Sequence, residues 1–215
     1  MSTLTKLALG LIGHNRPRPV EGDGSPALRL PPPRLDGGLP LMQALARRQS
    51  QRAFTSEPLD EATLSDVLWA AAGVNRPELG GRTAPSAMNA QEVVLYAAMP
   101  GGLYRYEPAA HELRRVAATD VRGVTGYQDF VDDAALDLIY VADHGRMGRV
   151  PASQRTSYAS AAAGAMAQNV YLACASAGLA TVVRAWFDRD ALARAMGLTD
   201  DEQLLLAQTV GRPRG

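Results

Sequence analysis

The 215-residue sequence has little cysteine, little histidine and no net charge. Cys174 is the only cysteine, which excludes an internal disulfide. The histidines, His14, His111 and His144, are far apart and lack the spacing of zinc ligands, so we expect no metal site. Lys plus Arg and Asp plus Glu number 22 each, which argues against a nucleic-acid groove or an anionic membrane surface. The expected partner is a small molecule.

Charge is also absent between Tyr158 and Val183, a run long enough to cross a bilayer. The run is mostly Ala, Gly and Ser, with Gln168 and Asn169 near its centre, so it is too polar for a spanning helix. Small residues let other helices approach closely, which predicts a buried helix in the core and at a subunit interface. Residues Met1–Ile12 lack the cleavage site of a signal peptide. We expect a cytoplasmic protein with no membrane partner.

The first 38 residues show no sustained hydrophobic period and hold many Pro and Gly, including Pro31-Pro32-Pro33. We interpret residues 1–38 as an extended or partly disordered leader, and residues 39–215 as the folded domain. The length suits a single domain with one sizeable core.

Helix and strand patterns follow each other after the leader without the regular order of a βαβ fold, which indicates the α+β class. Asp60 suits a helix N-cap, and Gly73 and Gly178 suit the residue after a helix end. The predicted helices cover about 60–72, 156–177 and 188–197, and the predicted strands cover about 93–98, 103–106, 112–116, 136–142, 181–187 and 203–210.

Arg48, Ser50 and Arg52 alternate along the chain, so all three side chains point to one side if this stretch is extended. Two guanidiniums and a hydroxyl on one side suit a phosphate, because Arg presents a planar fork of donors to phosphate oxygens. The other interpretation is a helix that starts near Leu39 and ends in a solvated basic turn. The spacing alone does not decide between them.

A second polar segment, Pro85-Ser86-Ala87-Met88-Asn89-Ala90-Gln91-Glu92, follows a helix that carries Leu68-Trp69-Ala70-Ala71. Together with Arg48-x-Ser50-x-Arg52-x-Phe54, Gly178-Leu179-Ala180-Thr181 and Gly211-Arg212-Pro213, this order of motifs resembles the nitroreductase family of FMN-dependent oxidoreductases. The resemblance covers residues from about Leu39 to Arg214.

This resemblance implies an α+β fold with a mixed, mainly antiparallel sheet flanked by helices, in an intertwined homodimer whose two FMN sites each use both subunits. Many members carry a C-terminal arm that wraps the partner, and this short C-terminus leaves the leader as the candidate for such an arm. The implied FMN-binding residues are Arg48, Ser50 and Arg52 at the phosphate and ribityl chain, Pro85, Ser86, Ala87, Met88, Asn89 and Gln91 of the partner subunit at one ring edge, Thr181, Val182, Val183 and Arg184 at the other edge, and Arg212 and Arg214 closing the phosphate site.

The implied activity is a ping-pong reaction in which NAD(P)H reduces FMN, and a nitroaromatic, a quinone or a related electrophile then takes the electrons. The flavin carries this chemistry, so the protein needs no catalytic acid or base of its own. Tyr127, Gln128 and Phe130 lie in a segment that suits a slot above the ring.

Two alternatives remain open. Asn75-Arg76 and the segment Arg82–Asn89 resemble the family's thiazoline and oxazoline dehydrogenases, which run the flavin in the opposite direction. A flavin carrier without catalysis also fits. This chain has Glu92-Val93 where many members have an aromatic residue, and Val182-Val183 where many have an acidic-glycine pair. The substrate therefore does not follow from the resemblance.

Overall fold

The computed structural model describes residues 24–214. Its strands are β1 (Leu28–Arg29), β2 (Val74–Arg76), β3 (Gly81–Arg82), β4 (Val93–Met99), β5 (Gly102–Glu107), β6 (Glu112–Ala117), β7 (Leu136–Asp143), β8 (Ala180–Arg184) and β9 (Glu202–Gly211). Seven of them form one sheet in the order β1-β6-β5-β4-β7-β9-β8, and β2 pairs with β3 separately. The strand β8 therefore lies at one edge of the main sheet and β1 at the other.

Four α-helices are defined within residues 24–214: α1 (Leu41–Arg47), α2 (Glu61–Ala72), α3 (Ala152–Ala177) and α4 (Arg189–Met196). Asp60 caps α2 because its side chain accepts a hydrogen bond from the Thr63 N–H, and Asp188 caps α4 by accepting from Ala191. Gly178 follows α3 in the left-handed conformation, with φ of 70°, which glycine adopts without steric cost.

The central strands β4 and β7 are buried along almost their whole length, because helices cover both faces of the sheet. Neighbouring residues of a strand point to opposite faces. Leu95 therefore belongs to a core shared with Val170 of α3, whereas Tyr96 belongs to a core shared with Leu192 of α4. The long helix α3 and the short helix α4 lie on opposite sides of the sheet.

The α+β class predicted from the sequence is confirmed, and every pairing in the main sheet is antiparallel. The helix predicted over 156–177 begins earlier, at Ala152, because its polar first turn carries no hydrophobic signal. The strand predicted over 181–187 ends at Arg184. Its apolar pattern was misleading, since Trp186 is exposed to solvent rather than part of the sheet.

Residues 24–38, the described part of the predicted leader, are attached to the domain. The strand β1 pairs with β6, and the Leu30 N–H donates to the His111 carbonyl oxygen at 3.1 Å. Further along, the Arg34 guanidinium forms an ion pair with Asp66 of α2 at 2.6 Å. Residues 1–23 lie outside the described part of the chain, so the rest of the leader stays a prediction.

His111 forms a hydrogen-bond network between the leader, α2 and β5. The Tyr106 hydroxyl lies 2.8 Å from Nδ1, and Nε2 lies 2.7 Å from Ser65 Oγ and 3.0 Å from the Pro31 carbonyl oxygen. A neutral imidazole fits this set, because it accepts from Tyr106 and donates through Nε2. Burial lowers the pKa of His111 below its ordinary value.

We expect the free energy of unfolding to fall as the pH drops below about 6.5, the ordinary pKa of histidine. Because the pKa of His111 is lowered in the folded state, the unfolded chain binds the proton first, and protonation favours unfolding until the folded pKa is passed. Urea unfolding at about pH 8 and about pH 5 measures this effect against His111→Asn, since asparagine tolerates the φ of 52° at this position. If the free energy of unfolding of the wild type exceeds that of the variant by as much at the lower pH as at the higher pH, the expectation is wrong.

Candidate functional site

The segment 48–55 leaves α1 and runs beside the edge strand β8 and the C-terminus. The Gln51 N–H donates to the Thr181 carbonyl oxygen at 3.0 Å, and the Thr55 N–H donates to the Arg212 carbonyl oxygen at 3.0 Å. One protomer therefore brings together three of the four groups of residues predicted for the site. These groups lie around 48–52, 181–184 and 212–214.

Tyr171 of α3 connects two of these groups. Its hydroxyl accepts a hydrogen bond from the Val183 N–H at 2.9 Å and lies 2.8 Å from Ser50 Oγ. The Arg48 guanidinium lies over the Tyr171 ring, 5.3 Å from its centroid, in cation–π geometry. A single tyrosine in an uncharged helix carries no motif, so the sequence does not indicate Tyr171.

Arg48, Arg52 and Arg214 are the guanidiniums available at this site. Arg48 is half-buried, and Arg52 and Arg214 are exposed. None of the three forms an ion pair with a carboxylate within residues 24–214. This arrangement suits an anion, because a phosphate does not have to displace a protein carboxylate to bind here.

Arg212 differs from these three arginines. Its guanidinium lies 3.1 Å from Glu57 and 3.5 Å from Asp60. Hydrogen bonds from Thr63 are the main reason that the pKa of Asp60 is lowered, and the charge of Arg212 lowers it further. Part of the positive charge of Arg212 is therefore already balanced within the protomer.

The Arg184 side chain points into the protein and not toward the open edge of β8. Its Nη2 donates to Asp137 at 2.5 Å, and its Nη1 donates to the Thr125 carbonyl oxygen at 2.5 Å. The hydroxyls of Thr125 and Thr209 donate to the two oxygens of Asp137. Arg184 thus fixes the loop around Thr125 to the sheet, and only its backbone borders the candidate site.

The other predicted residues of β8 are also mostly turned inward. Thr181 and Val182 are buried, and Val183 is half-buried. The Val183 amide faces away from β9 and already donates to Tyr171, so it has a protein acceptor within the protomer. The predicted role of these residues beside a flavin therefore rests on the position of the strand rather than on free donors at Val183.

The second predicted segment, residues 85–91, has an unusual backbone. Met88, Asn89 and Gln91 have φ values of 54°, 53° and 51°, in the left-handed region that residues other than glycine seldom adopt. Such conformations cost of order 1–3 kcal/mol each and persist where the surrounding structure fixes them, often at functional sites. The segment begins at Pro85, which is exposed, as is Met88.

The segment 85–91 and the basic segment contact different sides of α3. A small cavity is lined by Pro85 and Gln91 together with Ala162 and Met166 of α3. At about 100° per residue, Tyr171 lies on roughly the opposite side of the helix from these two α3 residues. One protomer therefore does not bring the fourth predicted group, Pro85 to Gln91, to the basic cluster.

Buried charges lie behind this second segment. Glu92 is fully buried, neither of its side-chain oxygens has a hydrogen-bond partner within the described residues, and burial raises its pKa. Burial also lowers the pKa of Arg82 to about 10, with a contribution from the nearby charge of Arg146. Glu92 and Arg82 lie within the segments that carry the resemblance, but the resemblance assigns neither residue a role at the flavin.

An exposed aromatic pair stands beyond the end of β8. The rings of Tyr127 and Trp186 lie 5.3 Å apart, and 56% and 69% of these residues are exposed. Phe130 packs against Phe54 instead, with ring centroids 5.4 Å apart. Of the three residues predicted to shape a slot, Tyr127 is exposed, whereas Gln128 and Phe130 are half-buried. Trp186 is an addition that the sequence did not suggest.

Within the part of the chain that the structure describes, no group of three or more potential metal-ligating side chains occurs. No helix in residues 24–214 combines the length and the apolar character needed to cross a membrane. The guanidiniums and hydroxyls beside the sheet edge form a donor set that can bind an anion.

Comparisons with known proteins identify the family of the chain. Residues 45–212 match the model of the nitroreductase family. Two similar proteins are named as putative nitroreductases. One, from Methanocaldococcus jannaschii, is 34% identical over 70% of this chain and 81% of its own length. The other, a crystal structure from Ralstonia eutropha, is 50% identical, has a TM-score of 0.85 and covers 94% of this chain and 96% of its own.

Two further solved structures share the fold at lower identity. A nitroreductase from Desulfovibrio desulfuricans in complex with FMN is 21% identical, with a TM-score of 0.60 over 83% of this chain and 89% of its own. The Escherichia coli microcin synthetase McbBCD complex is 18% identical, with a TM-score of 0.68 over 90% of this chain and 80% of the matched chain. With the family match over most of its length, the chain belongs to the nitroreductase family.

Proposed function

We propose that the protein is an FMN-dependent oxidoreductase that uses NAD(P)H to reduce a small electrophile such as a nitroaromatic or a quinone. The observation that carries this proposal is the cluster of Arg48, Arg52 and Arg214, three guanidiniums without a carboxylate partner among the described residues, beside an edge strand. Guanidiniums bind phosphate through charge-assisted hydrogen bonds, so this donor set fits the phosphate of FMN. A solved member of the same fold holds FMN.

In this proposal Arg48, Ser50 and Arg52 hold the phosphate and ribityl chain, and Arg214 closes the phosphate site with a smaller contribution from Arg212. Two of these groups are already positioned, since Tyr171 contacts both the Ser50 hydroxyl and the Arg48 guanidinium. Groups that are ordered before binding cost less free energy to immobilise when a ligand arrives. When bound, FMN supplies the redox chemistry, which its ring system carries without a protein acid or base.

We also propose that the functional unit is a homodimer. The partner subunit then supplies Pro85, Ser86, Ala87, Met88, Asn89 and Gln91 to the ring edge, which one protomer does not do because the segment lies across α3 from the basic cluster. The helix α1 supports this proposal. Its Leu41, Met42 and Leu45 are exposed large apolar side chains next to α3, and such patches mark protein interfaces.

Replacing Met42 and Leu45 with Glu should therefore convert the protein to monomers. Both side chains are exposed in the protomer, so the change puts charge into the interface with little effect on the fold. Light scattering after gel filtration measures the mass. Arg194→Glu places the same residue on α4, on the opposite side of the sheet, and should leave the dimer intact. A wild-type protein that is monomeric with FMN bound contradicts the dimer proposal.

The exposed pair Tyr127 and Trp186 suits one wall of a slot for planar electron donors and acceptors, because aromatic rings stack on flat ligands. The loop that carries Tyr127 is held by the contact of Arg184 with Thr125, so the wall is anchored to the sheet.

We place the FMN-binding unit in residues 39–215 and the protein in the cytoplasm as parts of the same proposal.

Anaerobic titration of the FMN-loaded protein with NADH and NADPH tests the proposed activity. Bleaching of the flavin absorption by either nucleotide, followed by recovery on adding a quinone or nitroaromatic, is the expected result. The two half-reactions must each proceed alone, because a ping-pong reaction separates them. A flavin that neither nucleotide reduces contradicts the reductase proposal.

The dehydrogenase direction is the second candidate, because residues 82–89 resemble the azoline-oxidising branch of the family. Its expected result is the reverse: azoline-containing peptides bleach the flavin, oxygen restores it and NAD(P)H has no effect. If neither NAD(P)H nor azoline-containing peptides reduce the flavin, the result favours a flavin carrier without catalysis.

A further inference from the structure

Gln91 is the most constrained residue of the segment 85–91. Its N–H donates to Ser86 Oγ at 3.0 Å, and its carbonyl oxygen accepts from Arg146 Nη1 at 3.0 Å. Its Nε2 donates to the Gly80 carbonyl oxygen at 2.7 Å and to Asn89 Oδ1 at 3.2 Å. Both hydrogens of the Nε2 group are therefore used inside the protein, which leaves Gln91 no side-chain donor for a ligand.

These contacts decide the orientation of the neighbouring amide. Because Asn89 Oδ1 accepts from Gln91, the Nδ2 group of Asn89 is turned the other way. Within residues 24–214 this group has no hydrogen-bond partner, and Asn89 is half-buried. The Nδ2 group is not shielded from solvent, so it can donate to water or to a ligand that replaces the water.

The backbone of the segment supports a fixed donor. Met88, Asn89 and Gln91 are left-handed, and the turn is closed by the Asn89 and Ala90 N–H groups, which donate to Ser86 and Ala87. Asparagine tolerates this conformation better than most residues, so its presence in a turn where Met88 and Gln91 are also left-handed is consistent with a side chain held in one place.

We propose that Gln91 is a positioning residue that turns the Asn89 Nδ2 group outward, so that Asn89 donates a hydrogen bond to a ring carbonyl oxygen of FMN. This inference rests on the proposed function and revises it, since Gln91 acts through Asn89 and does not contact the cofactor. A neutral amide donor bordered by Pro85 and Met88 suits a flat, mostly uncharged ring, whereas the phosphate belongs to the arginine cluster.

Gln91→Glu tests the inference with an almost unchanged shape. A carboxylate at this position accepts from Asn89 instead of donating to it, so the Asn89 amide turns and presents Oδ1 to the ring carbonyl oxygen. The substitution also removes the bond to the Gly80 carbonyl oxygen, an effect that does not depend on Asn89. The dissociation constant of FMN, measured by fluorescence in the dimeric protein, should rise about tenfold. Gln154→Glu adds the same charge at an exposed position of α3 and should leave FMN affinity unchanged.

The Asn89→Ala background separates positioning from a general structural effect. If Gln91 acts only through Asn89, then Gln91→Glu has no further effect on FMN affinity in that background. A tenfold loss that persists there overturns the inference and makes Gln91 a direct contact or a fold residue.

A spectroscopic readout distinguishes this role from loss of stability. A hydrogen bond to a ring carbonyl tunes the flavin's electronic properties, so the absorption maxima of bound FMN should shift equally in Gln91→Glu and Asn89→Ala. Unshifted maxima, or FMN affinity equal to that of the wild type in Gln91→Glu, overturn the inference while the proposed function stands. A wild-type protein that binds no FMN removes the proposed function itself.

Discussion

Asp137→Ala should lower the free energy of unfolding by about 3–5 kcal/mol, the largest effect we expect from a single substitution. Asp137 is fully buried, and it is the counter-charge of Arg184, whose side chain is only 4% exposed. Removing the carboxylate leaves a buried guanidinium without a charge partner, and the hydroxyls of Thr125 and Thr209 lose an acceptor. Urea unfolding at neutral pH, followed by circular dichroism, measures the change.

The matched control is the double variant Asp137→Leu with Arg184→Met. Replacing a whole buried ion pair by apolar residues is often neutral or stabilising, so this variant should recover most of the lost stability. If Asp137→Ala unfolds within about 0.5 kcal/mol of the wild type, water reaches the pair and the buried network does not hold the loop at Thr125.

Arg48→Ala and Arg52→Ala should each weaken FMN binding by about 1.5–3 kcal/mol, or about 10- to 150-fold in the dissociation constant. Each substitution removes a charge-assisted hydrogen bond to the proposed phosphate, and neither side chain has a carboxylate partner among the described residues whose release would offset the loss. Quenching of FMN fluorescence on binding gives the affinities.

Riboflavin provides the decisive control, because it has the same ring and ribityl chain without the phosphate. Arg52→Ala should leave riboflavin affinity unchanged, and Arg194→Ala, an exposed arginine of α4, should leave both affinities unchanged. We expect Arg212→Ala to have a smaller effect than Arg52→Ala, since Glu57 and Asp60 already balance part of its charge. Equal affinity of Arg48→Ala, Arg52→Ala and the wild type for FMN overturns the phosphate assignment.

Local sequence signals predicted most of the fold. Asp60 caps α2 and Gly178 follows the end of α3, as the sequence predicts, and β4 and β5 form close to their predicted ranges. These features depend on a few neighbouring residues, so the sequence contains them directly. Pairings between distant segments, such as β7 with β9 and β1 with β6, follow from packing and were not available from patterns.

The candidate site was less accessible to sequence reasoning. The alternation of Arg48, Ser50 and Arg52 left a phosphate site and a solvated basic turn open, and the structure places the segment beside β8. The direction of the Arg184 side chain was not predictable, because its partner Asp137 is distant in sequence and the pair is recognised only when β7 and β8 share a sheet. Tyr171 was missed because a single tyrosine in an uncharged helix carries no motif, and its partners Ser50 and Val183 lie on other segments.

Each edge of the main sheet is partly covered against further strands. The strand β1 has two residues and is followed by Pro31-Pro32-Pro33, which lack N–H groups. On the outer side of β8, the Thr181 carbonyl oxygen accepts from Gln51 and the Val183 N–H donates to Tyr171. Strand-to-strand aggregation needs an exposed edge, so a concentrated solution of the native protein should remain clear. The rate of precipitation on storage should increase with the fraction of molecules in which the segment 48–55 has detached from β8.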